Sequence, residues 1–177
     1  MNKSRGSIAA SAGDMLRTVG ILAGVLAVLA LAFTVTRPDA RLPETVDYVP
    51  VLAQVRAEFP YQAAAPATVP DGWRATNVHH EIDAAGHRWR LSFLIGEEGF
   101  VRLEQSDGEI VSYLSDRLDD FSPDGTSVVD GDTWDRMRQH GGPRDRALVR
   151  TEDGVLTIVR GTESYEVLEH FAASLEP

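Results

Sequence analysis

The spacing of apolar and polar positions changes along the chain, and each change marks an element. Between Arg17 and Arg37, "TVGILAGVLAVLALAFTVT" carries no charged residue. As a helix, its apolar part from Val19 to Thr36 reaches roughly 27 Å at 1.5 Å per residue, just enough to cross a bilayer. Next, "YVPVLAQVRAEF" places Val51, Leu52, Val55 and Phe59 at helical spacing. Pro50 suits the first turn of that helix and Pro60 closes the run. From Trp73 the period becomes two: "WRATNVHHEI" and "HRWRLSFLI" flank the turn "DAAG", and Trp89, Leu91, Phe93 and Ile95 alternate with Arg88, Arg90 and Ser92. A second turn at Glu97-Glu98-Gly99 leads into "FVRLEQ", which predicts a three-stranded antiparallel meander. Further on, "RALVRT", the turn "EDG" and "VLTIVRG" predict another hairpin. The chain ends in a helix from Tyr165 to Leu175, where Leu168, Phe171, Ala172 and Leu175 share a face and Ser164 serves as N-cap.

Together these elements predict an α+β fold: a single N-terminal transmembrane helix, then an antiparallel β-sheet domain with one face packed by helices. Amphipathic strands and helices must bury their apolar faces on one another. The boundaries fall at a short basic cytoplasmic tail, 1–18, a transmembrane helix, 19–36, a spacer, 37–46, and an extracytoplasmic domain, 47–177. "PYQAAAPATVPDG" reads as a connection without period that wraps the sheet surface or an edge.

A cleaved signal peptide competes with the anchor, since Lys3, Arg5 and Arg17 form a basic start and Ala30-Leu31-Ala32 matches a cleavage pattern. The apolar run continues past that site through Phe33 and Val35, which favours an uncleaved anchor over cleavage after Ala32. Arg37 and Arg41 nearly balance the basic residues before the segment, so orientation rests on two lesser points. The tail holds only Asp14 as an acid, and a long domain is translocated largely regardless of its charge. Both place the N-terminus in the cytoplasm at the cell membrane. Gly20 and Gly24 form a G-x-x-x-G on one helix face, a motif for a homodimer that is also ordinary composition in such helices.

Composition narrows the chemistry. At 177 residues and 43% apolar content the chain builds one ordinary core. The absence of cysteine removes disulfides, thiolate zinc sites and cysteine nucleophiles. A net charge of −10 argues against nucleic acid as a partner, because phosphate binding is driven by Lys and Arg.

"HHEIDAAGH" invites a metal reading, but on a hairpin His79 and Glu81 face one side and His80 and Ile82 the other, while His87 begins the return. The helical H-E-x-x-H spacing is absent. The carboxylates Asp116, Asp119, Asp120, Asp124, Asp130, Asp132 and Asp135 offer oxygen to calcium, yet lack the EF-hand order and read as a solvated loop with Ser-Pro-Asp-Gly turns. No metal site and no cofactor is therefore expected. There is no G-x-S-x-G elbow, no G-x-x-x-x-G-K-[ST] and no G-x-G-x-x-G after a strand.

"FVRLEQSDGE" remains, with Glu104, Ser106 and Asp107 as the only weak candidates for chemistry. On a strand Glu104 shares a face with Arg102, and Arg88 or Arg90 lies across from it, so a surface charge ladder accounts for it. "SDGE" matches a capping box: Ser106 accepts from the amide of Glu109 and Glu109 reaches back to Ser106. Ile110, Tyr113, Leu114 and Arg117 follow at helical spacing, which predicts a cap and short helix over 106–118 rather than a catalytic cluster.

"DYVPVLAQVRAEFPY", "PDGWRAT", "WRLSFL" and "VRLEQSDG", in this order after one apolar segment, resemble domain of unknown function 4245, a family of small actinobacterial membrane-associated proteins. The resemblance runs from the anchor to "GTESYEVLEHFAASL" and brings no catalytic or binding residue with it. What it implies is a membrane-anchored envelope protein. The domain is expected to be a non-catalytic binding or scaffolding module, its partner an envelope protein or a lipid-like ligand in a groove between sheet and helix. The alternative is a hydrolase of an envelope polymer, with Glu104 or an acid of the 116–135 loop as general acid or base.

Overall fold

The computed structural model describes residues 19–29, 31, 44–141 and 145–177. The chain divides into residues 1–42 and 43–177. In the first part the backbone is helical at 19–29 and at 31, which includes Gly20 and Gly24. Among the described residues no helix is long and apolar enough to cross a membrane. The tail 1–18, most of the spacer 37–46, the far end of the expected span and Ala30 and Ala32 of the cleavage pattern lie outside the described residues.

The second part is an α+β domain. Helix α1 (Val49–Glu58) opens it, with Pro50 in its first turn and Leu52 and Val55 buried. The proline- and alanine-rich connection contains a two-residue strand, β1 (Ala65–Pro66), which pairs with β9 (Leu175–Glu176) at the end of the chain. Between them run β2 (Trp73–Asp83), β3 (Gly86–Ile95) and β4 (Gly99–Ser106), then α2 (Ile110–Arg117), then β5 (Phe121–Val129), β6 (Asp132–Gln139), β7 (Arg146–Glu152) and β8 (Val155–Gly161), and finally α3 (Tyr165–Ala173). Ser164 caps α3 as its sequence position predicts, its Oγ accepting from the Val167 amide.

One seven-stranded antiparallel sheet holds the order β2-β3-β4-β8-β7-β6-β5. It consists of two meanders, β2 to β4 and β5 to β8, joined where β4 pairs with β8. Of the acidic stretch expected as a loop, Asp116 lies in α2, Asp119 and Asp120 lie in the link after it, and the rest forms the hairpin β5-β6. Asp130 and Gly131 take φ 51° and 92° at its two-residue turn, between the paired residues Val129 and Asp132. Asp153 and Gly154 repeat this at the β7-β8 turn, with φ 49° and 81°. Two positive φ values in a two-residue loop match the strand twist, which is why Asp-Gly makes both hairpins.

Helices lie on both faces of the sheet, not on one as the sequence suggests. On the first face Leu52, Val55, Leu168, Phe171 and Ala172 pack with Trp89, Leu91, Phe93, Leu103 and Val159. Phe171 stacks on Trp73 at 5.6 Å and meets Phe93 edge-on. On the opposite face Ile110, Tyr113 and Leu114 of α2 pack with Ala147, Val149, Leu156 and Ile158. Strand β8 shows the division, because Val159 belongs to the first cluster and its neighbour Ile158 to the second, as the period of two requires. Among the described residues both clusters and the nine strands lie within residues 44–177, so this stretch carries a core of its own.

Candidate ligand groove and the Glu104 cluster

Alternation along β4 sends Val101, Leu103 and Gln105 to the α1 and α3 face, and Arg102, Glu104 and Ser106 to the α2 face. Glu104 is only 1% exposed. Its Oε2 accepts from the Tyr113 hydroxyl at 3.0 Å and lies 3.3 Å from Arg117 Nε. Arg102 Nη1 stands 3.8 Å from Oε1, and Oε1 accepts no hydrogen bond. Burial, and next the charge of Glu104, raise the Tyr113 pKa above its usual value.

The surface charge ladder expected at Glu104 is therefore corrected. Arg90 is its Cα partner across the sheet, but the guanidiniums that approach it come from Arg102 beside it and from Arg117 on α2. Strand period gives the face a residue points to; it carries no information on which helix returns to cover that face. As chemistry the arrangement is closed: the contacts of Glu104 are cations and one phenol.

Ser106 and Asp107, adjacent in sequence, do separate tasks. Ser106 ends β4, is 1% exposed, and its Oγ accepts from the Gly108 amide at 3.1 Å. Asp107 Oδ1 accepts from the His87 amide at 2.6 Å, and its Oδ2 lies 2.8 Å from His87 Nδ1. No Ser, Thr or Tyr hydroxyl among the described residues bonds that imidazole, which instead packs on Phe59 at 5.1 Å. The Asp107–His87 pair thus fastens the β2-β3 turn to the end of β4. At that junction Gly108 passes so close to the Ala85 carbonyl that a Cβ would collide with backbone, and a Cβ on Gly86 would meet Gly108.

The capping box is also corrected. The N-cap of α2 is Glu109, whose carboxylate accepts from the amides of Val111 at 3.3 Å and Ser112 at 2.7 Å. Ser106 is still strand, and the Asp107–His87 fastening delays the helix to Ile110. His79, for its part, approaches Glu81 at 3.8 Å. No group of three or more metal-ligating side chains converges among the described residues.

A groove opens on the first face between the sheet, the end of α3 and the Pro60 to Ala64 connection. It holds about 510 Å³ and is lined by Tyr61, Gln105, Trp134, Arg150, Thr157 and Leu175, among others. That lies within the size range of small-molecule sites. Its polar floor is fixed: Gln105 Oε1 accepts from the Ala64 amide at 2.7 Å and Gln105 Nε2 donates to Thr157 Oγ1 at 3.3 Å. Tyr61 donates to the carbonyls of His87 and Gln105. Arg150 is held by Asp132 at 2.8 Å and Glu152 at 2.6 Å, with its guanidinium 5.8 Å from the Trp134 ring. The β1-β9 pair closes one wall by setting Pro66 beside Leu175.

Sequence reasoning anticipates a groove between sheet and helix but none of these residues. The available signal was Gln105, a polar side chain on the core-facing parity of β4, next to the three candidates it did name.

The class that emerges is an α+β domain with a seven-stranded antiparallel sheet, helices on both faces, and a polar-floored groove on one. The chain belongs to the family described as Protein of unknown function (DUF4245), whose model matches residues 8–175. Neither a curated protein nor a solved structure matches it.

Proposed function

We propose that the chain is a single-pass membrane protein with a cytoplasmic N-terminus, whose extracytoplasmic domain is a non-catalytic binding module of the cell envelope. The ligand is an amphipathic, lipid-like molecule seated in the groove. The groove itself carries this reading: the apolar side chains of Trp134, Leu175 and Ala172 line it together with the fixed polar groups of Gln105, Thr157 and Arg150. An amphipathic ligand fits both, its apolar part on the side chains of Trp134, Leu175 and Ala172 and its polar part towards Gln105, Thr157 and Arg150. The uncharged run from Val19 to Thr36 supports the anchor, and Gly20 with Gly24 supports a dimer through it. The hydrolase alternative draws no support from Glu104, whose carboxylate is sealed under α2 by Tyr113 and Arg117.

Titration of residues 44–177 with a dansyl-labelled fatty acid tests the groove. Saturable binding is expected, and Thr157→Trp, which fills the floor, should abolish it. No saturable binding, or binding indifferent to Thr157→Trp, would overturn the reading. Topology is tested separately, since a chain without cysteine permits single-cysteine labelling. In intact cells Ser115→Cys, exposed on α2, should react with an impermeant maleimide and Ser4→Cys should not.

A further inference from the structure

On the α2 face the register aligns residues in rows across the sheet. Ser92 of β3, Arg102 of β4 and Arg160 of β8 form one row, and Arg90, Glu104 and Ile158 form the next. Arg102 and Arg160 are direct cross-strand partners, a like-charge pairing that destabilises a sheet unless something offsets it. Arg90 sits diagonally from Arg102, about 7–8 Å away by strand geometry.

Among the described residues the carboxylates nearby leave Arg90 unpaired. Glu104 acts on Arg102 and Asp145 on Arg160 and Arg102, while Asp116 lies 3.9 Å from Arg117 and Asp120 stands by Asp145. Glu104 is taken up chiefly by Tyr113 and Arg117. Arg102 donates from Nε to Ser92 Oγ at 3.0 Å and is otherwise 3.8 Å from Glu104. Arg160 donates to the Arg117 carbonyl at 3.1 Å, and its buried Nε has no hydrogen-bond partner. Arg90 makes no hydrogen bond or ion pair among the described residues. Burial first, and then the guanidiniums of Arg160, Arg90 and Arg117 against the pull of Glu104, lower the Arg102 pKa.

A cleft of about 410 Å³ lies over these residues on β2, β3 and β4. Asn77, Arg90, Ser92 and Arg102 line its polar part, and Leu94 with Phe100 line its apolar part. Two guanidinium forks, a hydroxyl and an amide suit a tetrahedral oxyanion, because the planar fork bonds two oxygens at once. The flanking Leu94 and Phe100 suit an organic substituent on that oxyanion.

We propose that this cleft binds a phosphate group, held by Arg90 and Arg102, as a second site independent of the groove on the other face. Inorganic phosphate and a lipid headgroup share this chemistry, and both serve as probes.

The full chain in a neutral detergent is titrated calorimetrically with inorganic phosphate and, separately, with glycerophosphoglycerol, a headgroup diester without acyl chains. Saturable binding of at least one is expected, and the tighter of the two assigns the source as free phosphate or headgroup. Arg90→Ala should weaken it by about tenfold or more, since a hydrogen bond to a charged group is lost. Arg90→Lys, which keeps the charge and loses the fork, should fall between. Both variants should melt as the parent does, because Arg90 ties down no other residue. Absence of saturable binding by either probe, or equal affinity in Arg90→Ala, would overturn the site and leave the groove reading untouched.

Discussion

The hydroxyl of Tyr113 donates to Oε2 of Glu104 at 3.0 Å, and this bond ties α2 to the middle of the sheet. A carboxylate 1% exposed on a central strand has that phenol and the guanidiniums of Arg117 and Arg102 as its partners. The tie is structural, and it explains how a helix with no fully buried residue holds its place on the second face.

Removing the carboxylate leaves Arg117 and Tyr113 without their partner. Glu104→Ala should therefore destabilise the domain by about 3 kcal/mol or more. Tyr113→Phe should cost about 2 kcal/mol, the value of a hydrogen bond to a charged group. Urea melts of both variants give the numbers. Binding of the fatty-acid probe in the groove should be unchanged under folded conditions, since Glu104 lies on the other face.

The start of α2 gives a second prediction. Glu109 accepts from two amides that no backbone carbonyl can reach, so Glu109→Ala should cost about 1 kcal/mol. Glu109→Ser substitutes a preferred capping residue and should restore most of that loss. Chemical denaturation of the pair decides between this cap and one at Ser106, for which Glu109→Ser would give no recovery.

Close backbone approach gives a third. At Gly108 a Cβ would run into the Ala85 carbonyl, and backbone cannot swing aside as a side chain can. Gly108→Ala should destabilise by about 2 kcal/mol or more through displacement of the β2-β3 turn. It should also weaken the Asp107–His87 contact, which a shifted His87 imidazole resonance in the NMR spectrum at one pH would report.

Stability should fall at both pH extremes, for different reasons. Glu169 is held below its ordinary pKa first by the Ser127 hydroxyl and then by Arg136. A depressed folded value gives stability that is present above the unfolded carboxylate pKa and lost as pH falls through the folded one. Tyr165 is pushed up to about 12, first by burial and then by its bond to Asp124. An acid raised on folding stays neutral while the unfolded phenol ionises, so stability declines as pH climbs from about 10 towards that value. Melting temperatures across pH should show a shallower acid limb in Ser127→Ala and a shallower alkaline limb in Tyr165→Phe.

Turn chemistry shows how much of this was legible. Asp153-Gly154 is readable as a hairpin turn, and Asp130-Gly131 in "VVDGDTW" carries the same dipeptide between strand-forming residues. The second is obscured because the aspartates around it suggest calcium or a solvated loop. In the fold Asp124, Asp132 and Asp135 lie on β5 and β6, where Asp124 meets Arg138 at 3.0 Å and Asp132 meets Arg150 at 2.8 Å. Carboxylate count hid a hairpin.

The sequence by itself determined the elements whose cause is local: α1 with Pro50 in its first turn, the β2 to β4 meander, the β7-β8 hairpin, and α3 with its Ser164 cap. Each rests on periodicity or a capping group within a few residues. Tertiary structure alone decided that β4 pairs with β8 across 48 intervening residues, that α2 turns to the face opposite α1 and α3, and hence that Glu104 is buried rather than solvated. It also set Arg102 opposite Arg160 and placed Gln105, Trp134 and Arg150 around one groove. Those relations depend on which surfaces meet when the two meanders join, and no periodicity within a single strand or helix encodes that.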